Sequence, residues 1–253
     1  MSPFAETSVS YDDTRKRTST SYVKFDPRYR LVLRMLNATS KRTWKHWIQA
    51  ANGGKGLMAT CPNTGLTGIC PIEKRLATYA KDDPRINEER AKKRFIVNVL
   101  DRTPYTVCPS CNVETPGVSN ENAPGKFCIS CGSVLKNAEY FPLNKVKLLE
   151  GGPRLFAESL NFVDKMQRDE LNVEITDYDI TFITIGEARE RRINAIPQNP
   201  EPLTEEAMVD RETGEPQKLF DLDILAEPST VEEIEAMLKG ATINELNILK
   251  GIE

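Results

Sequence analysis

Four of the six cysteines have the spacing of a tetrahedral metal site. Two residues separate Cys108 from Cys111, two separate Cys128 from Cys131, and sixteen lie between the pairs. Two such knuckles can direct four thiolates at one ion, as in structural zinc sites with four cysteine ligands. Gly132, directly after the second pair, provides the backbone freedom that a knuckle often needs. The spacing therefore predicts one structural Zn²⁺ with no coordination position left over for catalysis.

Two disulfides are the alternative pairing of these four cysteines. The first twenty residues carry Asp12, Asp13 and the basic cluster Arg15, Lys16 and Arg17, where a secretory signal needs an apolar stretch. No run of eighteen apolar residues occurs that would suit a membrane span. We therefore expect a cytoplasmic protein that is not secreted, and reducing surroundings favour zinc over disulfides.

A second group of metal-ligand types consists of His46, Cys61, Cys70 and Glu73. These residues offer one nitrogen, two sulfurs and one carboxylate, but a mixed set at these spacings indicates a metal site only weakly. Two buried free thiols are the alternative. Because the chain has a single histidine, it offers little material for His-based acid–base chemistry or a Cys–His nucleophile pair.

The charges are distributed unevenly along the chain. Residues 1–60 contain 11 basic and 4 acidic side chains, residues 61–200 contain 19 of each, and residues 201–253 contain 4 basic and 14 acidic ones, which gives net charges of +7, 0 and −10. The basic beginning predicts a surface that binds a polyanion, and the acidic end can compete for that surface or recruit partners. A solvated tail on an unrelated domain is the alternative interpretation.

Short strands dominate the predicted elements. Apolar residues alternate with arginines in residues 28–35, which predicts a strand with one buried and one cationic face. Strand patterns also occupy residues 95–100, 145–148 and 180–185, and residues 189–196 are expected to close a hairpin with the last of these. This outline predicts a mainly β (α+β) fold organised as a small barrel of the OB-fold type.

Helices and domain boundaries follow from caps and composition. Asp83 and Pro84 predict the start of a short helix, residues 151–153 turn into a longer one, and Ser229 with Glu232 has capping-box spacing. We predict a flexible basic arm over residues 1–21, a barrel core over residues 22–198 and a zinc-ribbon insertion over residues 104–140. Residues 199–253 are acidic and rich in proline, which predicts a disordered tail with a short terminal helix.

Several blocks together resemble the single-stranded DNA-binding proteins of T4-like and related tailed bacteriophages, which use a zinc-containing OB-type barrel. Residues 30–36 are similar to the opening barrel strand of that family, residues 61–73 to its zinc subdomain and residues 93–100 to the following core strand. Residues 145–149 and 178–182 match later blocks in the same order, as does the acidic C-terminus.

Two departures from the family accompany this resemblance. The embedded metal site of the family uses a His and three Cys, whereas Glu73 stands at the position of the last Cys. The ribbon with the four cysteines, Cys108 to Cys131, is an insertion where the family has a plain loop. The resemblance implies that His46, Cys61 and Cys70 lie close together, and it leaves open whether they bind a second metal.

The resemblance implies a protein without enzymatic activity that binds single-stranded DNA regardless of sequence. Such a protein protects and organises DNA during phage replication, recombination and repair in the cytoplasm of the host cell. Its expected partners are single-stranded DNA, replication or recombination proteins bound through the acidic tail, and further copies along the DNA, contacted through the basic arm.

Single-strand binding needs a cationic groove and aromatic faces on which bases stack. The only tryptophans, Trp44 and Trp47, lie in a basic run, and residues three apart would share a face if this run were helical. Each aromatic candidate can instead belong to the core, and Tyr22 and Phe95 are further candidates. The predicted DNA-binding residues are Arg28, Tyr29, Arg30, Arg34, Lys41, Arg42, Trp44, Lys45, Trp47, Tyr79, Lys92, Lys93, Arg94 and Tyr105.

Two other functions remain open at this point. The first is a zinc-ribbon transcription or polymerase accessory factor, in which the four-cysteine ribbon docks on a large enzyme. The second is a metal-dependent nuclease that uses Asp177, Asp179 and Glu187, although acids beside a strand and turn more often only solvate the edge of a sheet.

Overall fold

The computed structural model describes residues 22–49, 56–62, 69–117, 127–135, 139–186, 192–241 and 245–246, so the predicted arm over residues 1–21 lies outside the described residues. The strands are β1 (Leu31–Met35), β2 (Lys41–Ile48), β3 (Leu57–Thr60), β4 (Lys92–Asp101), β5 (Pro104–Val107), β6 (Glu114–Pro116), β7 (Phe141–Pro142), β8 (Lys145–Gly151), β9 (Tyr178–Ile185) and β10 (Arg192–Pro200). The α-helices are Pro71–Leu76, Pro84–Glu89, Asn161–Leu171, Leu222–Ala226 and Val231–Leu238. The chain is thus mainly β with several helices, and it divides into two compact units.

The first unit takes its described residues from 22–40 and 97–220. Strand β1 pairs antiparallel with β9 and with the second half of β4, and β10 pairs antiparallel with β9. Strand β8 also pairs with β4, while β5, β6 and β7 form a separate small sheet. Leu33, Ile180 and Phe182 are buried on one face of these strands, and Leu100 is buried on the other face, beside Ala207 and Met208.

The sheets are not closed, so the predicted OB-like barrel was wrong. Closure would require the outer strand β10 to pair along both edges, and in the described part of the chain it pairs with β9 alone. Two prolines explain why β10 suits an edge: Pro197 and Pro200 carry no backbone N–H that could donate to a further strand. Alternating apolar residues fit an open sheet as well as a barrel, so the sequence pattern did not separate the two.

The predicted helix after residues 151–153 packs its apolar side on the first unit. A π-helical segment, Arg154–Leu160, leads directly into Asn161–Leu171 and buries Leu155, Phe156 and Leu160. The helix ends at Asn172, which adopts a left-handed conformation with φ of 54°. Asparagine tolerates this conformation better than most residues, so the chain can turn there toward β9.

The second unit takes its described residues from 41–96 and 221–246. Strand β2 pairs antiparallel with β3 and with the first half of β4. Helix Pro84–Glu89 begins as predicted, with the Asp83 side chain accepting a hydrogen bond from the backbone N–H of Arg85 at 2.9 Å. The core of this unit combines β-strand residues such as Ile48 with Ile72, Ile234 and Met237 from helices.

The acidic C-terminal segment is ordered over residues 199–241, so the prediction of a disordered tail was wrong there. Ala207 and Met208 are buried beside Leu100 in the first unit, and helix Val231–Leu238 buries Ile234 in the second. A few apolar residues at suitable intervals anchor a segment whose average composition is polar. The terminal helix is present, and its capping box is formed by Thr230 and Glu233, one residue later than predicted.

No helix among the described residues has both the length and the apolar composition that crossing a membrane requires.

Candidate metal centres and nucleic-acid interface

The two predicted cysteine knuckles bring their four sulfurs together. The Sγ atoms of Cys108, Cys111, Cys128 and Cys131 all lie within 4.8 Å of one another. The separations are 3.7 Å for Cys108–Cys131 and 3.5 Å for Cys111–Cys128, far longer than a disulfide bond, and all four thiols are free. This four-cysteine cluster is therefore a group that can hold one metal ion in tetrahedral coordination.

The two knuckles repeat the same backbone turn. The N–H of Asn112 donates to the carbonyl of Cys108 at 2.9 Å, and that of Gly132 donates to the carbonyl of Cys128 at 3.0 Å. Both turn residues are left-handed, with φ of 55° for Asn112 and 72° for Gly132. Glycine and asparagine accept this conformation at low cost, which explains their positions directly after each cysteine pair.

Hydrogen bonds to sulfur favour the thiolate form of Cys128. The backbone of Cys131 and the hydroxyl of Thr115 donate to its Sγ, and they lower the pKa of Cys128 to about 5. The backbone N–H of Ser130 contributes a further bond at 3.4 Å. Because metals bind thiolates and not thiols, this cysteine is prepared for coordination near neutral pH.

The described part of the ribbon around the cysteines has little other material for a core. Its buried cluster consists of Cys108, Cys128 and Leu135, with Cys111 packed against it. Phe127 and Val134, by contrast, are exposed large apolar residues of the second knuckle. A bound ion would thus supply cohesion that apolar packing does not provide here.

The second set of candidate metal ligands, His46, Cys61 and Cys70, also lies close together, in the second unit. His46, Cys61 and Cys70 are buried, and their ligand atoms lie within 4.8 Å of one another. His46 Nε2 is 3.4 Å from Cys70 Sγ, and its Nδ1 is 2.7 Å from the carbonyl oxygen of Glu89. That carbonyl fixes the ring with the proton on Nδ1, which leaves Nε2 free to act as a metal ligand.

Glu73 completes this second group with an oxygen. Its Oε1 lies 3.7 Å from His46 Nε2, in the first turn of helix Pro71–Leu76. Pairing of β2 with β3 places His46 opposite Ala59, two residues before Cys61, and Cys70 caps the helix that carries Glu73. The hairpin and the helix together assemble ligands that are far apart in sequence, which is why spacing alone indicated them weakly.

Cationic and aromatic side chains share one face of β2 and β4. Arg42 lies opposite Phe95 and Trp44 lies opposite Lys93, so the four side chains project to the same side of the sheet. Trp44 is 39% exposed, and Lys93 Nζ lies 5.1 Å from the centre of the Phe95 ring. We call Arg42, Trp44, Lys93 and Phe95 the Trp44 patch.

Trp47 lies on the opposite face of β2 from Trp44, because a shared face would have required a helix. The run is a β-strand, in which residues three apart point to opposite sides. Trp47 is 45% exposed and lies opposite Met58. A Cβ atom at Gly56 would come within 2.4 Å of the indole ring, so the ring lies directly on the backbone there.

Two of the predicted phosphate contacts are buried and therefore unsuited to that role. Arg34 is fully buried on β1, and its Nε donates to Asp179 Oδ1 at 2.6 Å across the strand pair. Lys45 is only 7% exposed in the second unit. Strict alternation placed Arg34 on an exposed face, but an acid on the neighbouring strand allows its burial.

The other predicted residues differ in accessibility. Arg28 is exposed and forms an ion pair with Asp26 at 2.6 Å, and Lys41 is exposed and pairs with Asp223. Tyr79 packs against the core of the second unit beneath the guanidinium of Arg85. Lys92 is exposed, whereas Arg30 and Arg94 are half-buried.

A cleft in the first unit brings together three of the aromatic candidates, Tyr22, Tyr29 and Tyr105, with lysines that the sequence did not single out as ligand contacts. It has a volume of about 310 Å³. Its aromatic and basic lining consists of Tyr22, Lys24, Tyr29, Tyr105, Lys145 and Lys147. The tyrosines were separate candidates in the sequence, but no local pattern indicated that they lie beside these lysines, since the residues come from distant segments. We call it the tyrosine cleft.

The acids considered for a nuclease are engaged in structural contacts where the structure describes them. Asp179 binds Arg34 through Oδ1 and Arg102 through Oδ2, the latter at 2.8 Å. Asp177 Oδ2 accepts a hydrogen bond from the backbone N–H of Glu174 at 2.8 Å. Glu187 lies outside the described residues.

Comparison of the chain with protein-family models and with curated proteins finds no match.

Proposed function

We propose that this protein binds single-stranded DNA without sequence preference, and that it protects and organises such DNA in phage replication, recombination and repair in the host cytoplasm. The observation that carries the proposal is the Trp44 patch, where an exposed indole and a phenyl ring alternate with Arg42 and Lys93 on adjacent strands. Flat rings stack on any base, and the cations bind the phosphates that every sequence shares.

The energetics of such a patch suit sequence-independent binding. Each stack of a base on an aromatic ring contributes about 1–3 kcal/mol, whichever base it is. Each neutralised phosphate releases counterions, so affinity falls with salt by about 0.7 logarithmic units per phosphate for each tenfold increase in salt. Neither contribution depends on the edge of a base, where sequence is recognised.

Zinc has a structural role in this proposal at both clusters. At Cys108, Cys111, Cys128 and Cys131 an ion would hold the ribbon together. At the second cluster, His46 Nε2, the two thiolates and Glu73 would hold another ion beside the patch, because the N–H of Cys61 donates to the carbonyl of Trp44 at 2.7 Å. An ion there would fix the end of β3 against the strand that carries Trp44.

The acidic C-terminal segment has a regulatory role in the same proposal. Asp223 pairs with Lys41, a predicted phosphate contact, and Glu212 lies 3.5 Å from Lys145 in the tyrosine cleft. Both lysines would exchange a carboxylate for a phosphate when DNA binds. The released acidic groups could then recruit replication or recombination proteins, while the N-terminal arm contacts a neighbouring copy on the strand.

Fluorescence anisotropy of labelled oligo-dT tests the proposal. Trp44→Ala should weaken binding about 5- to 150-fold, the loss expected for one stacked base. Phe162→Ala removes an exposed ring of the other unit and serves as the matched control, with affinity unchanged. A wild-type protein that does not bind oligo-dT at low salt would refute the proposal.

A second candidate function rests on the apolar surface of the ribbon. Phe127 and Val134 form a bridge between the two arms of the second knuckle and are both exposed. This surface fits a zinc-ribbon accessory factor that docks on a polymerase or transcription enzyme, with DNA binding secondary. Normal oligo-dT affinity in a Phe127→Ser, Val134→Ser variant, together with lost binding to a purified polymerase, would favour this candidate.

A further inference from the structure

The tyrosine cleft has the composition of a nucleotide site. The buried residues in its lining are Leu31, Asp101, Thr103 and Leu143, and the half-buried tyrosines Tyr22, Tyr29 and Tyr105 line it as well. At about 310 Å³ it lies at the lower end of the range for ligand sites, about 300–1,000 Å³, which suits a single nucleotide. Two leucines and three tyrosines favour a flat base, and the Asp101 carboxylate in the lining is paired with Lys147.

Lysines at the rim of the cleft provide partners for a phosphate. Lys24 is exposed, and Lys145 and Lys147 project to the same side of β8. Lys147 Nζ is 2.7 Å from Asp101, which holds it in place, while Lys145 lies at the longer distances of 3.3 Å from Glu114 and 3.5 Å from Glu212. Lys145 is thus the lysine that can most readily exchange its acids for a phosphate.

Tyr29 itself does not oppose an anion. Burial, with a smaller contribution from the Asp26 carboxylate, raises the pKa of Tyr29 above its usual value. Its phenol therefore remains neutral at pH 7 and can donate a hydrogen bond. Tyr105 is oriented by Arg211, whose guanidinium donates to the phenol oxygen at 3.3 Å.

One wall of the cleft belongs to the four-cysteine ribbon. Glu114 and Pro116 come from β6, and Ile129 lies between the two cysteines of the second knuckle. Ile129 is 40% exposed, as expected of a wall residue, and not part of the ribbon core. The position of this wall depends on the geometry of Cys128 and Cys131, so an ion at the four-cysteine cluster would shape the cleft.

We propose that the tyrosine cleft binds one nucleotide of the DNA strand, and that the four-cysteine ribbon forms a wall of this site. The inference rests on the proposed single-strand binding and assigns the ribbon a part in it. Metal at the four-cysteine cluster then supports DNA affinity directly, through Ile129, besides stabilising the ribbon.

Photo-cross-linking locates the bound base. An oligo-dT in which thymines are replaced by 5-iodouracil is irradiated with the full-length protein, and the cross-linked peptides are identified by mass spectrometry. The inference predicts cross-links at one or more of Tyr22, Tyr29 and Tyr105. Cross-links confined to the second unit, for example at Trp44, would overturn it while leaving the proposed function intact.

Two substitutions that introduce a carboxylate test whether the ribbon forms a wall of the cleft. Ile129→Glu places a carboxylate in the lining of the cleft, and Val134→Glu makes the same change at a 52% exposed residue of the same knuckle that does not line the cleft. Both changes are at exposed positions, so folding is expected to be retained. Ile129→Glu should weaken oligo-dT binding at least about 5-fold relative to Val134→Glu, because its carboxylate repels the anionic strand.

The comparison of Ile129→Glu with Val134→Glu separates the role of the ribbon wall from single-strand binding itself. Equal affinities of the two variants, with tight wild-type binding, would overturn the role of the ribbon wall and leave single-strand binding standing. No saturable binding of oligo-dT by the wild-type protein would overturn the proposed function and this inference together.

Discussion

Arg34 Nε lies 2.6 Å from Asp179 Oδ1, and both side chains are buried where β1 and β9 pair. The Arg34 guanidinium also donates to the backbone carbonyls of Thr176 and Glu201, at 3.3 Å and 3.0 Å. Arg102 binds the second oxygen of Asp179. An arginine that the alternating pattern placed on a DNA-binding face is therefore part of the interior of the first unit.

Arg34→Met should destabilise the protein without acting on DNA contacts. Loss of one partner from a buried ion pair costs about 3–5 kcal/mol, and we expect about 3 kcal/mol because Arg102 still binds Asp179. Urea unfolding gives the free energy. Arg42→Met is the matched control: at an exposed position it should change stability by less than about 0.5 kcal/mol, yet weaken oligo-dT binding. Equal stability of the two variants would contradict the structural role of Arg34.

The protein should contain two zinc ions per chain, as measured by elemental analysis of material purified without chelators. Cys128→Ser should lower the count to one, because a tetrahedral site loses most of its affinity with one ligand. Glu73→Gln should lower the affinity for the second ion about 10- to 100-fold, whether Glu73 binds the ion directly or orients His46. A competing chelator should then remove that ion more easily.

The control for the Glu73 variant is Glu88→Gln, which makes the same change at an exposed position of a neighbouring helix. Identical chelator resistance of the two variants would exclude Glu73 as a ligand. A count of one ion in the wild-type protein that falls to zero in Cys128→Ser would show that His46, Cys61 and Cys70 form a buried polar group and not a metal site.

Neutralising the acids that pair with lysines should tighten DNA binding at low salt. Deleting residues 201–253 is unsuitable for this test, since Met208 and Ile234 belong to the cores. Asp223→Asn and Glu212→Gln instead remove, at exposed positions, the carboxylate paired with Lys41 and one of the two paired with Lys145. We expect up to about 5-fold tighter binding for each, in line with the roughly 0.2–1 kcal/mol of an exposed ion pair.

Glu235→Gln removes the same charge from the same segment at an exposed helix position and is the control for this experiment. If it tightens binding as much as the other two, the acidic segment acts through net charge alone. If none of the three changes affinity at low ionic strength, the acidic segment does not compete with DNA.

Local sequence signals predicted local structure well. The spacing of the four ribbon cysteines, the Asp83 cap and the hydrophobic strands in residues 95–100 and 180–185 are present, because each depends on residues near one another in the chain. The open sheet was missed because alternation does not encode which strand lies at the edge. Burial of Arg34 was missed because its partner Asp179 is distant in sequence.

At the candidate site, too, local features were predicted and long-range ones were missed. The basic run around Trp44 was visible in the sequence, but the pairing of Trp44 with Lys93 is set by the register of β2 and β4. The order of the acidic segment was missed because average composition hides a few apolar anchors such as Met208. The tyrosine cleft required a long-range arrangement that no local pattern records.

The most direct test of single-strand binding uses Trp44 as its own reporter. In a Trp47→Phe variant Trp44 is the only tryptophan, and its fluorescence is titrated with oligo-dT at several salt concentrations. We predict saturable quenching, equal for a mixed-sequence strand, with a slope of log affinity against log salt of about −3 to −4 if four to six phosphates are contacted. An unchanged Trp44 signal in dilute buffer, at strand concentrations that saturate known single-strand binders, would contradict the proposal.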